Sequence, residues 1–314
     1  MVLVQGIEDG NCTQVTEFSL VGFTEDPVTQ VYLFLLFLLT YLVTIVGNLG
    51  ITILIRASHL LHSPMYYFLG NLAFVDLCSS TIITPKLLVD LMSEKKSIAY
   101  AGCVAQVFLF QLLGITECFL LVSMAYDRYV AICHPLLYPL VMSPKCCFQL
   151  VTASYLVGLT NGVGQTISMS TLSFCSSSVI DLFFCDISPL ISLSTSDTSL
   201  SRIILTTAAS LFGVSSILII LLSYVAIIAT ILSINSAEGK RKAFSTCTSH
   251  LTTVSIFYGA CFFMYLFPRS NSSRAADKWA VVLYTVVTPM LNPLIYSLRN
   301  KEVKEALRKL RKIR

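Results

Sequence analysis

The residues with the clearest chemical potential are two adjacent charges, Asp127 and Arg128, at the end of a long apolar stretch. A charged pair in or beside lipid is costly unless the charges are paired, face protein or lie at the water boundary. Arg128 stays protonated and carries five donors, so Asp127 can hold it or release it to another partner such as Tyr224. The alternative is a static ion pair that only anchors a helix end.

Two isolated acids, Asp76 and Glu117, lie within otherwise apolar stretches. Carboxyl groups inside a membrane usually pair, bind cations or stay neutral, and hard cations favour oxygen ligands. Two hypotheses follow. The two acids share a sodium ion, or both are protonated and hydrogen-bond to Asn48, Ser123 or Asn292.

A proline within an apolar segment marks another candidate switch, Asn292-Pro293-Leu294-Ile295-Tyr296. Proline removes one backbone hydrogen bond and kinks a helix. Asn292 can supply a polar partner for the carbonyl freed at the kink, and Tyr296 can then move as a switch. A passive kink is the alternative.

Side chains at helical spacing on three segments predict a ligand cavity. They are Val107, Phe110, Gln111, Gly114, Ile115 and Cys118 on the first, Ala209 and Phe212 on the second, and Tyr258, Cys261, Phe262 and Tyr265 on the third. Gly114 lacks a side chain and so opens space. A mostly apolar cavity suits a small volatile ligand. No charged residue lies at the outer ends of these faces, which argues against a charged amine as the ligand. The alternative is ordinary helix packing.

The elements that position these residues are predicted to be membrane-spanning helices. Charged residues make up 12% of the 314 residues, against about 25% in soluble domains. A span needs about 20 residues, and uncharged runs of sufficient length occupy residues 27–55, 97–116, 146–180, 203–237, 243–268 and 279–298. A seventh segment, 59–89, contains only Asp76 and Lys86. We therefore predict an all-α membrane protein with a seven-helix bundle.

The charge at the two ends predicts the orientation in the plasma membrane. The first 27 residues contain no Lys or Arg, whereas the last 16 contain eight. Because basic residues stay inside, we predict an extracellular N-terminus (1–27), a seven-helix domain (28–298) and a cytoplasmic tail (299–314). Asn11 begins a glycosylation sequon, in keeping with an external N-terminus. Asn271 begins a second one in a short outer loop, where crowding near the bilayer disfavours its use.

The tail has apolar residues at helical spacing, namely Val303, Ala306, Leu307 and Leu310. Basic residues lie between them, which predicts a short amphipathic helix on the lipids of an anionic inner leaflet. A frayed basic tail is the alternative.

Several motifs, in order along the chain, carry a resemblance to a known family. They are GN (47–48), LHSPMYYFL (61–69), MAYDRYVAICHP (124–135), SY (223–224), KAFSTCTSHL (242–251), FYG (257–259) and PMLNPLIYSLRN (289–300). From about Phe18 to Arg299 the chain resembles odorant receptors, which are rhodopsin-like receptors coupled to G proteins. The resemblance implies a small volatile odorant bound within the bundle and activation of a stimulatory, olfactory-type G protein that raises cyclic AMP.

The resemblance also implies roles for single residues. Those expected to couple to the G protein or to switch are Asp127, Arg128, Tyr129, Tyr224, Asn292, Pro293 and Tyr296. Asp76 matches the acid of a sodium site in the family, and Glu117 lies on the facing helix. No organic cofactor is expected.

Four cysteines, Cys12, Cys103, Cys175 and Cys185, lie on the predicted outer side, which is oxidising. The resemblance implies a Cys103–Cys185 bridge. The family usually has two further cysteines in the second outer loop. Here Cys175 fits one, but Thr195 stands where the other is expected. Cys175 is therefore either free or paired with Cys12.

Other function classes fit the sequence less well. A transporter would show internal repeats, broken helices and more than seven spans, and a channel would show a selectivity filter or a ring of charges. An enzyme would need a catalytic constellation, but the four histidines, His59, His62, His134 and His250, are scattered on the inner side. We therefore expect a receptor, with a small-molecule transporter as the alternative.

Overall fold

The computed structural model describes residues 15–175, 178–266, 274–299 and 301–312, apart from a few side chains within helices. Six helical segments of this part are long and apolar enough to cross a membrane: Pro27–Ala57, Pro64–Met92, Tyr100–Cys133, Pro144–Ser170, Ser199–Ser233 and Lys278–Ser297. The helix Ala237–Leu266 is the seventh long helix and packs in the same bundle. The expected all-α membrane fold is confirmed.

The twelve α-helices are numbered in chain order within the described residues. They are α1 Pro27–Ala57, α2 Pro64–Met92, α3 Tyr100–Cys133, α4 Tyr138–Val141, α5 Pro144–Ser170, α6 Ile187–Leu193, α7 Ser199–Ala208, α8 Ser215–Ser233, α9 Ala237–Leu266, α10 Arg274–Val282, α11 Thr288–Arg299 and α12 Lys301–Lys312. A 3-10 turn occupies His59–Leu61. Two π-helical segments, Ala209–Val214 and Leu283–Val287, join α7 to α8 and α10 to α11.

A polar cap followed by proline sets the start of two spanning helices, α1 and α5. The Asp26 carboxylate accepts a hydrogen bond from the Thr29 amide at 2.8 Å, and Pro27 is the first residue of α1. Ser143 caps α5 in the same way ahead of Pro144. Proline suits this position because its missing N–H would have no partner in the first turn. The apolar runs thus begin as helices at defined residues.

The central helix is α3, which contacts α2, α5, α8 and α9. A side chain at Gly158 of α5 would collide with the Thr116 side chain and the Leu112 carbonyl, so glycine lets α5 lie directly on α3. Gly47 likewise lets α1 lie close to α11, since an added Cβ would lie 2.8 Å from Pro293 Cγ. The glycine of the GN motif therefore fits the proline of α11.

The outer end of the bundle carries a small sheet that the sequence pattern did not predict. Strand β1 (Glu17–Leu20) lies between β2 (Ser97–Ala99), which is antiparallel to it, and β3 (Val179–Ile180), which is parallel. Phe18 and Leu20 point into a hydrophobic cluster, as the alternation along a strand requires. The segment before α1 is thus fixed across the bundle.

The tail forms the expected helix, α12, but its packing differs from a helix lying only on lipid. Val303 and Ala306 are each 1% exposed, and α12 contacts α1, α11 and the 3-10 turn. The Tyr66 hydroxyl donates to Glu302 at 2.6 Å. Part of the apolar face therefore covers the bundle, while Leu307 remains exposed.

Candidate functional site

The inner end of α3 holds the expected charged pair. Asp127 is fully buried, and Arg128 Nε donates to its Oδ2 at 2.9 Å. Tyr138, on the short helix α4, donates its hydroxyl to Asp127 Oδ1 at 2.8 Å. The carboxylate therefore has two anchors, and Arg128 is held beside it with 11% of its side chain exposed.

Tyr224 does not take Arg128 as its partner in this conformation. Its hydroxyl lies 2.7 Å from His250 Nδ1, and His250 Nε2 lies 3.1 Å from the Leu121 carbonyl. In a neutral ring the carbonyl requires the proton on Nε2, so Nδ1 accepts from Tyr224. His250 thereby links α3, α8 and α9. The sequence placed this histidine on the inner side, whereas it is fully buried between helices.

The other residues expected to switch lie near these contacts or towards the centre. Tyr129 Oη lies 3.1 Å from His134 Nε2 at the end of α3. Pro293 is inside α11, and Tyr296, one turn further, is only 1% exposed. Movement of Tyr296 would therefore require α11 to shift against its neighbours.

A buried polar centre forms between α2, α3 and α11. Asn292 Nδ2 donates to both carboxylate oxygens of Asp76, at 2.9 and 3.2 Å. Glu117 is 3% exposed and lies close enough to Asp76 for their charges to interact. The other two hydrogen-bond partners expected from the sequence bond elsewhere: Asn48 donates to the Thr44 and Pro289 carbonyls, and Ser123 donates to the Phe119 carbonyl.

The donor set of this centre fits a hard cation. Among the buried oxygens of the described residues that have no hydrogen-bond partner are Glu117 Oε1, Asn48 Oδ1, Ser80 Oγ and Asn292 Oδ1. Carboxylate, amide and hydroxyl oxygens are the ligands that such cations prefer. Clusters of three or more His, Cys, Asp or Glu that could hold a metal ion are absent from the same part of the chain.

In the outer half of the bundle the predicted pocket residue Phe110 lies in a cluster of aromatic rings. The Phe110 ring contacts the Phe184 ring at 5.1 Å and the Tyr284 ring at 5.7 Å. Tyr284 also contacts Phe257 of α9 at 5.5 Å. Phe184 and Tyr284 were missed from the sequence because neither belongs to the three predicted faces. They connect α3 to the second outer loop and to the π-helical segment.

Gly114 does not leave open space, contrary to the expectation from its missing side chain. An added Cβ would lie 2.8 Å from the Tyr284 hydroxyl oxygen. The glycine instead makes room for that hydroxyl. Gly114 therefore belongs to the contact between α3 and the segment Leu283–Val287. On the same face of α3, Ile115 is half-buried and Cys118 is buried.

Tyr258 links α9 to α8. Its hydroxyl donates to Ser216 Oγ at 2.7 Å, and Cys261, one turn further, is half-buried. Ser216 lies just after the π-helical segment Ala209–Val214, in which the extra residue per turn shifts the register of the side chains. Ser216 was not named from the sequence, although it lies four residues after Phe212, at helical spacing from the predicted face.

Disulfides fix the outer loops. The expected bridge joins Cys103 and Cys185. Cys175 is also disulfide-bonded, so the alternative of a free thiol is wrong. Thr195, which stands where a cysteine was expected, donates its amide to the Ser173 carbonyl at 2.9 Å, so hydrogen bonds close this part of the loop. Outside the described residues lie Cys12, Asn11 and Asn271.

Comparison with known proteins decides the family. A family model described as "Olfactory receptor" matches residues 37–312. The chain belongs to the olfactory receptor family. It is 52% identical to human olfactory receptor 5G3 over 96% of both chains, and 54% identical to mouse olfactory receptor 5G25 over 95% of this chain and 93% of that one. The crystal structure of squid rhodopsin has the same fold, with a TM-score of 0.73 at 18% identity over 90% of this chain and 85% of that one.

Membership makes this olfactory receptor a multi-pass membrane protein that is neither an enzyme nor a transporter. Odorant ligands and G-protein coupling follow from the family.

Two predicted pocket positions, Phe262 and Ala209, are exposed in this olfactory receptor, and a third, Phe212, is half-buried. Phe262 is 60% exposed and shares one stripe of α9 with Ser255 and Gly259, which are also exposed. This stripe faces the outside of the bundle, so assigning Phe262 to the pocket was wrong. Ala209 is exposed as well, and Phe212 packs against Phe119 at a ring distance of 6.1 Å. The Tyr265 side chain is outside the described residues.

The second outer loop brings a charge to the pocket that helical spacing could not reveal. Gln111 donates to Asp186 Oδ1 at 3.3 Å, and Asn161 of α5 donates to Gln111 Oε1 at 3.3 Å. The expectation that no charge lies near the outer ends of the pocket faces is therefore wrong. Asp186 directly follows Cys185, and the disulfide holds it over α3.

Proposed function

We propose that this receptor binds small, mostly apolar volatile odorants in the outer half of the bundle and activates a stimulatory, olfactory-type G protein, raising cyclic AMP. The proposed ligand contacts are Phe110, Gln111, Gly114, Ile115, Cys118, Tyr258 and Cys261, with Tyr284 and Phe184 added from the structure. Aromatic and aliphatic walls with few polar groups suit such ligands.

The observation that carries this proposal is the position of Tyr284. Its ring contacts Phe110 of α3 and Phe257 of α9, and its hydroxyl occupies the space beside Gly114. An odorant seated on these side chains would press on α9 through Phe257 and Tyr258. Binding energy that differs between two arrangements of α9 is what shifts a receptor between states.

The proposed route to the G protein runs inward along α9. His250 lies two turns from Tyr258 on this helix and is bound to Tyr224 and to the Leu121 carbonyl. Movement of α9 would break these two contacts and free the Tyr224 hydroxyl. Arg128 could then leave Asp127 and contact Tyr224 or the G protein, as its five donors allow.

We propose that the N-terminus is extracellular and the tail cytoplasmic, with the membrane domain at 28–298. Support comes from the disulfides at the end of the bundle that carries β1, because disulfides persist in oxidising compartments. The basic residues of α12 lie at the opposite end, where anionic lipids would attract them. We also propose that Asn11 is glycosylated.

We further propose that Asp76 and Glu117 share a sodium ion. Support comes from Asn292, which is bonded to Asp76, and from the oxygens of Glu117 and Asn292 that have no hydrogen-bond partner and could serve as ligands. The ion would supply positive charge between the two carboxylates and so hold α2, α3 and α11 together.

The direct test is a cyclic-AMP assay in cells that express the receptor, screened with a panel of apolar and weakly polar volatiles. At least one volatile should raise cyclic AMP, and co-expression of an olfactory-type stimulatory α-subunit should enlarge the response relative to an inhibitory-type subunit. A receptor that reaches the surface yet responds to no volatile with either subunit contradicts the proposal.

A further inference from the structure

Residues 17–24 form a segment, here called the strap, that crosses the outer end of the helix bundle. Its first half is strand β1, and its main chain is bonded on both sides. The Leu20 amide donates to the Lys96 carbonyl at 2.7 Å, and the Val21 amide donates to the Ile180 carbonyl at 3.0 Å. The strap is therefore held against the first and second outer loops.

Aromatic rings connect the strap to the proposed ligand site. The Phe23 ring stacks on Phe183 at 5.0 Å, Phe183 contacts Phe184 at 5.3 Å, and Phe184 contacts Phe110 at 5.1 Å. Phe183 and Phe184 are 2% and 1% exposed. The strap and the loop thus form a roof whose inner surface is a wall of the pocket.

One side chain, Lys278 of α10, ties this roof to the helix bundle. Its Nζ donates to the Val21 carbonyl at 3.3 Å and the Gly22 carbonyl at 3.1 Å, and it pairs with the Asp181 carboxylate at 3.0 Å. A lysine ammonium has three donors, and these contacts use all three. Lys278 is 8% exposed, so water competes little for them.

On its α2 side the strap borders a narrow crevice that is partly open to solvent. The crevice is lined by Leu20 and Gly22 of the strap, Phe183 of the second outer loop, Leu87, Asp90 and Leu91 of α2, and Lys96. On its α10 side the strap is held by the three polar contacts of one side chain, Lys278.

We propose that the strap is a gate over the outer end of the ligand site, and that Lys278 is the positioning residue that latches it closed. This inference rests on the proposed function, which places the ligand under the roof. Lys278 belongs to the same run of helical segments as Tyr284, so a ligand that displaces Tyr284 also acts on the latch. Opening admits ligands from the aqueous side rather than through the lipid.

The test uses Cys118, a native thiol of the ligand face that is 7% exposed, as the reporter. Cells or vesicles are treated from outside with 2-(trimethylammonium)ethyl methanethiosulfonate, a cationic reagent that does not cross lipid. Peptide mass mapping then gives the rate of Cys118 modification. Lys278→Met should raise this rate about tenfold, since hydrogen bonds to a charged donor are among the stronger ones.

Matched variants separate latching from general damage. Lys278→Arg keeps a charged donor and should restore slow labelling, and Lys95→Met removes an exposed lysine bound to Glu17 and should change little. Uncharged methyl methanethiosulfonate, which crosses lipid, should modify Cys118 equally in wild type and Lys278→Met. Buried Cys147, at the inner end of α5, should stay unlabelled by the cationic reagent in every folded variant.

Equal rates with the cationic reagent in wild type and Lys278→Met, or no labelling of Cys118 in either, overturn the gate. If Lys278→Met does not fold, Asp181→Asn provides the same test, because it removes the ion pair and keeps both carbonyl contacts; the expected increase is about threefold. The assay needs no odorant and no G protein. A failed gate is therefore distinguishable from a failed cyclic-AMP response.

Discussion

The outer and inner ends of the bundle are held by different kinds of contact. At the outer end a disulfide joins Cys103 to Cys185, a three-stranded sheet fixes the strap, and Lys278 makes three polar contacts. At the inner end Arg128 is held by its neighbour Asp127, and Tyr224 by one contact to His250. The outer contacts are covalent or numerous, whereas each inner contact can be exchanged singly.

This difference suits a receptor that recognises on one side and switches on the other. A net hydrogen bond contributes about 0.5–1.5 kcal/mol, so the inner contacts can be exchanged by the modest binding energy of a small ligand. The Cys103–Cys185 bridge cannot be exchanged in this way, so it keeps the second outer loop on α3 while α9 moves. The predictions below break one end or the other and should give different kinds of defect.

The largest effect is expected from breaking the outer covalent bond. Cys103→Ala or Cys185→Ala should remove most receptor from the cell surface, because losing a native disulfide costs about 2–5 kcal/mol in small domains. Flow cytometry with an N-terminal tag measures the amount of receptor at the cell surface. Cys146→Ala, which removes a free thiol at the inner end of α5, is the control and should leave delivery normal. Normal delivery of both bridge variants would contradict the assignment of rigidity to the outer end.

At the inner end, Arg128→Ala should abolish agonist-evoked cyclic AMP while surface delivery stays largely intact. The substitution removes the group proposed to reach Tyr224 or the G protein, and it leaves Asp127 bonded to Tyr138. Arg56→Ala, at the exposed inner end of α1, controls for loss of a basic charge. If Arg128→Ala signals normally, or if it fails only because it is retained inside the cell, the inner end is not the switch.

The same contrast decides what the sequence could predict. The spanning helices, the tail helix and the Asp127–Arg128 pair follow from local composition and spacing. Spacing also predicted the faces of α3 and α9, but Phe262 of the α9 face points outward. The strap and the Gln111–Asp186 contact depend on loops folding back over the bundle, and Tyr284 beside Gly114 depends on how the segment Leu283–Val287 packs on α3, which no periodicity encodes. Ser216 lies four residues after Phe212 and was within reach of helical spacing.

The polar centre lies between the two ends and should respond to sodium. If Asp76 and Glu117 share the ion, either Asp76→Asn or Glu117→Gln should weaken the effect of extracellular sodium on the agonist response by several-fold, because each removes one carboxylate ligand. Dose–response curves in sodium and in a large organic cation measure this, normalised to surface receptor. An unchanged sodium effect in both variants favours two protonated acids bonded through Asn292.

Gly114→Leu should lower the response to every agonist, with larger ones affected first, because its Cβ meets the Tyr284 hydroxyl at 2.8 Å. Gly114→Ala places only the Cβ there and should have a smaller effect. Tyr284→Phe removes the oxygen that the Cβ meets, so Gly114→Ala combined with Tyr284→Phe should respond better than the two single changes predict when added. Strict additivity of the pair would place Gly114 away from Tyr284.

The smallest effect is expected at Tyr258, where one neutral hydrogen bond to Ser216 is removed and the ring is kept. Tyr258→Phe should shift agonist potency or efficacy by about threefold to tenfold without loss of expression, given a net value of about 0.5–1.5 kcal/mol for such a bond. Ser216→Ala removes the same bond from α8 and should give a similar shift. Because both changes delete one interaction, the double variant should be no worse than either single one. Two independent, additive shifts would mean that each hydroxyl contacts the odorant separately, and that α8 and α9 are not coupled through this bond.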